Sequence, residues 1–111
     1  MAAMTRADMI TKTLRRLGIL ASTETDTPED STVVGQVLDA LHDELTADGL
    51  TGFATSSIPD WAQEGFSMAL GEMVAPYFGL TRPGWREEGE RLLARQRHKK
   101  VQRRPVPFKD F

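Results

Sequence analysis

The chain has 111 residues, 40% of them hydrophobic and 27% charged, with a formal net charge of −2 and no cysteine. That length supports one modest core, burying about two-thirds of the surface an unfolded chain of this size exposes, and the composition is that of an ordinary soluble protein, neither disordered nor membrane-spanning. A disulfide framework and thiolate chemistry are excluded, no apolar run reaches the roughly 18 to 20 residues of a membrane helix, and no apolar stretch follows the first basic residues, so a protein retained where it is made is expected.

Thr5, with Asp8 three residues on, is a capping-box-like start, after which Ala7, Ile10, Leu14 and Leu17 recur at helical spacing. Gly18 then predicts a left-handed stop, with Ile19 packing back on Leu14. Leu20 to Asp26 is small, polar and without period, hence a loop. Thr27, Pro28, Glu29 and Asp30 open a second helix: Thr27 caps it, Pro28 takes the first position, where its missing NH costs nothing, and the two acids meet the positive end of the dipole. Val34, Val37, Leu38, Leu41 and Leu45 form its apolar face, and Gly49 with Leu50 repeats the earlier stop.

Leu50 to Ser56 predicts a loop with a short extended piece in its middle. Ser57, Pro59 and Asp60 predict the start of a third helix with Ala62, Phe66, Ala69, Leu70, Met73 and Tyr77 as its inner face. This is the longest apolar pattern in the chain and marks the central helix. Pro76 falls in its last turn and ends it before Gly79. A fourth helix is expected from about Pro83 to about Lys100, turning Trp85, Leu92 and Leu93 inward. Its acids (Glu87, Glu88, Glu90) come first and its bases (Arg95, Arg97, Lys99, Lys100) last, as the dipole favours. Past Val101, Pro105 and Pro107 forbid a helix. The expected fold class is all-α, a four-helix bundle with short connections over residues 1–100 and an extended C-terminal arm over residues 101–111.

Charge is divided along the chain. From Arg82 onward ten Lys and Arg face four Asp and Glu, a net of +6, whereas the first 81 residues carry four bases and twelve acids, a net of −8. An acidic body with a basic, aromatic-tipped arm points to a docking partner. Phe108 and Phe111, three apart amid prolines, are suited to apolar pockets on a protein partner with an acidic groove. His42 and His98 stand on different predicted helices without ligand spacing, so no metal is expected. Ser56 and Ser57 lie in a capping context rather than a nucleophile motif. The carboxylate pairs Asp39 with Asp43 and Asp43 with Glu44 sit on the polar side of the second helix, opposite its leucines, as a solvated face. Gly49 and Gly52 belong to no phosphate loop. Neither catalysis nor a cofactor is expected. Trp61 and Trp85, near helix starts, are expected to anchor the local core, while Phe53, alone in a polar loop, suits either a core or an interface anchor. Arg91, Arg95 and Lys99 form a stripe that could grip phosphates, so the alternative function is a small helical DNA-binding or regulatory protein, although the net negative charge weighs against it.

The order of the segments LRRLGILASTETDTPED, VLDALHDELTADGL, IPDWAQEGFSMALGEMVAPYFGL and EGERLLARQRHKKVQ resembles the head-to-tail adaptor, or connector, proteins of tailed bacteriophages, especially those like the podoviral packed-DNA tail accessory factor. The matching positions are Leu17, Gly18 and Ile19; Thr27, Pro28 and Glu29; Leu41 to Leu45; Pro59 and Asp60; and Ala75, Pro76, Tyr77, Phe78 and Gly79. They lie within a resemblance that covers about Thr5 to Val101. The chain departs from the family in having Asp43 and Glu44, and no tryptophan, where members commonly place Asn and Trp.

The resemblance implies a structural virion protein of the neck, assembled in the host cytoplasm, that forms a ring of typically twelve copies beneath the portal protein and above the next tail or stopper component. It implies an arm, Lys99, Lys100, Arg103, Arg104, Val106, Phe108 and Phe111, that docks on the portal, and a Phe53 loop or outer helices that meet neighbours. Asp39 and Asp43 would line a lumen through which genomic DNA slides without sequence-specific contact. No membrane is involved in this picture.

Overall fold

A computed structural model of the chain describes residues 3–21, 24 and 26–102, with side chains described as far as residue 96. Four α-helices follow one another: α1 (Arg6–Arg16), α2 (Pro28–Ala47), α3 (Asp60–Val74) and α4 (Trp85–Gln102), with a 3-10 turn at Ala75–Phe78 leading out of α3. The fold is all-α. Among the described residues, extended pairing is confined to an isolated antiparallel bridge between Met4 and Ile58.

Helix ends follow local chemistry. Thr5 accepts a hydrogen bond from the Asp8 NH at 3.1 Å, and Thr27 accepts one from the Asp30 NH at 3.2 Å, with Pro28 at the first position of α2. Each hydroxyl satisfies an orphan donor of a first turn, worth about 1 kcal/mol. Gly18 (φ 81°) and Gly49 (φ 76°) take the left-handed conformation, which lets the Ile19 NH reach back to the Leu14 carbonyl at 3.0 Å and the Leu50 NH to Leu45 at 2.8 Å. The chain repeats this stop at Gly79, where the Leu80 NH bonds the Ala75 carbonyl at 2.9 Å.

The start of α3 differs from expectation. Pro59 occupies the cap position and supplies no side-chain bond, while Ser57 is in a turn, its NH bonded to the Ala54 carbonyl. A residue before proline is pushed into the extended region, and Ile58 uses that conformation to exchange two 2.8 Å backbone bonds with Met4. The extended piece expected in the middle of the 50–56 loop lies here instead, tying the N-terminus to the entry of α3.

Helix α3 is the central one, with Ala62, Gly65, Phe66, Ser67, Ala69, Leu70, Gly71 and Val74 all buried. Against it α1 brings Met9, Ile10, Leu14 and Leu17, and α2 brings Val34, Leu38, Leu41 and Leu45. Helices α1 and α2 pack on each other and on α3, whereas the α4 backbone packs along α3. Ala7, expected in the apolar repeat of the first helix, is exposed, and Met9 is fully buried. Tyr77, expected on the inner face of the third helix, is 66% exposed. The tightening to three residues per turn after Val74 rotates position 77 out of the stripe, and Phe78 packs against the core in its place.

The seam between α3 and α4 is made of backbone. A Cβ placed on Gly89 would strike the Gly65 carbonyl oxygen and lie 2.8 Å from the Ala69 nitrogen, and one on Gly65 would lie 2.7 Å from the Gly89 oxygen. Two helices meeting this closely gain dispersion and weak CH···O contacts in place of side-chain interdigitation. Consistent with that, Leu93 is the α4 residue in the fully buried core, with Trp85 half-buried beside it. A Cβ on Gly71 would stand 2.9 Å from the Trp85 ring, and Glu72 on α3 accepts the Arg86 NH at 2.7 Å, capping α4 from its neighbour.

Candidate functional site

Phe53 is half-buried in an aromatic cluster. Its ring meets Trp61 at 5.7 Å and Phe66 at 6.0 Å, both edge to face, and His42 at 5.6 Å. The His42 Nε2 lies 2.7 Å from the Phe53 carbonyl oxygen and so donates to it, clamping the loop to α2. That imidazole is a structural tie, and a histidine eleven residues upstream of a lone loop aromatic carried no signal of it. The geometry thus gives Phe53 a core role while leaving part of it at the surface.

Asp39 and Asp43 are both exposed on α2. Asp39 is held by Arg6 of α1, which donates from Nε at 3.2 Å and from a terminal nitrogen at 3.1 Å. The two carboxylates therefore differ, one engaged between helices and the other presented at the surface. In the arm, Lys99 and Lys100 belong to the α4 backbone, which runs to Gln102. Arg103, Arg104, Val106, Phe108 and Phe111 lie outside the described residues.

Within the basic stripe, Arg91 is paired with Glu88 one turn earlier, donating from two nitrogens at 3.1 and 2.5 Å. That bond holds the Glu88 carboxyl below its ordinary value and the Arg91 guanidinium above its own. Arg95 is exposed. Arg86 is a hub, reaching Glu90 at 2.7 Å and, across to α2, Glu44 at 2.5 Å, and both bonds raise its already high pKa. Trp85 lies beneath two guanidinium groups, Arg16 at 5.5 Å and Arg82 at 5.6 Å from its ring centre, an arrangement of cations on an aromatic face.

Asp26 joins three elements, accepting from Ser31 at the start of α2 and from Thr11 of α1 at 2.8 Å. The Ser31 bond chiefly, with the Thr11 bond and the nearby Arg15, holds its carboxyl below the usual range, against the opposing effect of burial. No group of three or more ligating side chains able to hold a metal occurs among the described residues, and no described helix is long and apolar enough to cross a membrane.

Sequence periodicity missed a shallow apolar groove of about 250 Å³ lined by Val33, Gln36, Val37 and Ala40 of α2 together with Met73 and Tyr77. Exposed Glu29 lies one turn before Val33, and exposed Asp43 one turn after Ala40. The signal was present in Val33, Val37 and Ala40, a second apolar row beside the leucines of α2. A larger hollow of about 800 Å³ between α1 and the start of α3 mixes Lys12, Arg15 and Arg16 with Asp8 and Asp60, and Arg16 is already bonded to Glu64 at 2.5 Å. No family model, curated protein or solved structure matches this chain.

Proposed function

We propose that the chain is a non-enzymatic head-to-tail adaptor of a tailed bacteriophage, a helical bundle that assembles as a ring, of twelve copies by the family's habit, beneath the portal protein in the neck of the virion. Supporting this is the order of helix starts and stops that carries the resemblance: the Gly18–Ile19 stop, the Thr27–Pro28 start, the Gly49–Leu50 stop and the Ala75–Gly79 turn, each formed by its own residues. The arm, Lys99 to Phe111, docks on the portal, where a basic, aromatic peptide is ordered once per copy and its burial is repeated round the ring. Outer surfaces near Phe53 meet neighbours or the next tail component. Asp43, exposed and acidic on α2, with Asp39 beside it, suits a lumen that repels DNA and lets it pass without reading its sequence.

The test is binding of the full chain to the portal ring of the same virus, followed by electron cryomicroscopy of the complex. A ring of this protein under the portal, with residues 101–111 in contact with it, is the expected result. Absence of any complex, or a complex in which those residues touch nothing, removes the assignment. A duplex-binding activity that weakens steeply with added salt would favour the DNA-binding alternative instead.

A further inference from the structure

The groove between α2 and the 3-10 turn contains the exposed large apolar side chain of the body, Tyr77, and space of about 250 Å³, enough for one aromatic ring. Single exposed hydrophobics are ordinary. A concave row of Val33, Val37, Ala40 and Met73 around one is not, and it is bracketed by the carboxylates of Glu29 and Asp43. An occupant that fits is extended and apolar, carries an aromatic residue, and has cations on both sides of it. Residues 103–111, Arg-Arg-Pro-Val-Pro-Phe-Lys-Asp-Phe, have that chemistry: Arg103 and Arg104 precede Phe108, and Lys109 follows it. Pro105 and Pro107 also lack backbone NH groups, which reduces the polar backbone to be desolvated in an apolar groove.

The occupant must come from another copy. Helices α3 and α4 run antiparallel, with Gly89 against Gly65 and Trp85 against Gly71. At 1.5 Å per residue, the end of α4 at Gln102 lies about 20 Å beyond the Gly65–Gly89 seam, and Met73 lies about 12 Å from it in the opposite direction. Phe108 is six residues past Gln102 and reaches at most about 22 Å of straight chain, short of the roughly 32 Å to its own groove. A second copy has no such constraint. We infer that the groove of Val33, Val37, Ala40, Met73 and Tyr77 receives the C-terminal arm of a second copy of this chain, with Phe108 seated beside Tyr77 and the arm's cations facing Glu29 and Asp43.

Such a contact is heterologous, joining one patch to a different one, and so builds rings or chains of copies. It extends the adaptor reading by naming the contact between copies and depends on that reading only for the number of copies. An arm seated on a portal is unavailable to a neighbour, so the two destinations compete.

The test uses two full-length variants. Ala40→Lys keeps the arm but puts a cation into the groove, at an exposed helical site that tolerates lysine. The double variant Phe108→Ala, Phe111→Ala keeps the groove but blunts the arm. In sedimentation equilibrium up to roughly 100 µM, the range in which a small peptide-in-groove contact registers, the wild type should exceed the mass of one chain while each variant alone stays at it. An equimolar mixture of the two should form a species of two chains, because one supplies the arm and the other the groove. Circular dichroism confirms that each is folded, and Tyr77→Ala replaces Ala40→Lys if the latter is not. A wild type that remains a single chain, variants that associate like the wild type, or folded variants that fail to complement each other overturns the proposal. Portal binding separates the two ideas. Ala40→Lys retains the arm and should still bind the portal, and a wild type that self-associates but ignores the portal counts against the adaptor reading alone.

Discussion

Replacing Gly89 with alanine places a methyl group where α3 and α4 touch backbone to backbone. The new Cβ meets the Gly65 carbonyl oxygen and lies 2.8 Å from the Ala69 nitrogen and 3.3 Å from its Cβ. None of these atoms can swing aside, so the helices must separate. Overpacking of this kind costs about 1 to 3 kcal/mol, to which is added the loss of contacts along the rest of the seam. Against it stands the gain of about 1 kcal/mol from alanine's better helix propensity. The net expectation is a loss of about 1 to 3 kcal/mol, or roughly 4 to 8 °C in Tm per kcal/mol for a domain near this size. Gly35→Ala is the internal control. Its Cβ meets only the Arg6 guanidinium, at 2.6 Å, the far end of a flexible side chain. Moving Arg6 weakens its bond to the exposed Asp39, worth less than about 1 kcal/mol, which the propensity gain offsets. Urea titration followed by circular dichroism and Trp85 fluorescence should therefore show Gly35→Ala near the wild type and Gly89→Ala well below it. A Gly89→Ala protein as stable as the wild type would mean that the seam is not backbone-tight.

Phe66→Ala removes a fully buried ring that touches both Phe53 and His42, and a loss of about 3 to 5 kcal/mol in the same titration is expected, enough to unfold much of a body this small. Thr27→Ala deletes the cap on Asp30 and should cost about 1 kcal/mol, while Thr27→Ser should restore most of it. The Asp26 carboxyl sits below its ordinary 3.8 because of Ser31 and Thr11. Its contribution is therefore fully present above 3.8 and is lost as pH falls through the lower folded value. Stability measured against pH should show the wild type ahead of Asp26→Asn at neutral pH and the gap closing below 3.8, and a gap constant with pH would refute the role given to Asp26.

Helix boundaries were legible wherever a single residue's own chemistry sets them. Thr5, Thr27, Gly18 and Gly49 act on neighbours within five residues, so their effect is written locally, and the buried leucines of α2 follow from spacing alone. The misreadings involve what spacing does not carry. Ser57 looked like a cap, but Pro59 imposes an extended Ile58, whose backbone partner Met4 lies more than fifty residues away. Tyr77 continued the α-helical stripe on paper, and the 3-10 turn changed the angle per residue beneath it. The glycines at 65 and 89 read as weak points of their helices, since glycine lowers helix propensity, when their worth lies in the partner each one admits. The candidate arm was legible as charge, proline and aromatic spacing. The groove was not, because it is assembled from one side of α2 and a turn on the far side of the core.

The glycine seam also determines how load enters the body. Because the α4 backbone packs along α3 alone, the residues beyond the seam act as the long end of a lever, and tension applied at its tip is delivered to the middle of α3 before α1 or α2 shares it. Arg86, bonded to Glu44, is the pin at the short end. A pull on the tip would therefore strain the most enclosed helix of the molecule first, and the grip of anything that holds this protein by its tail is limited by how long Gly65 and Gly89 stay in register.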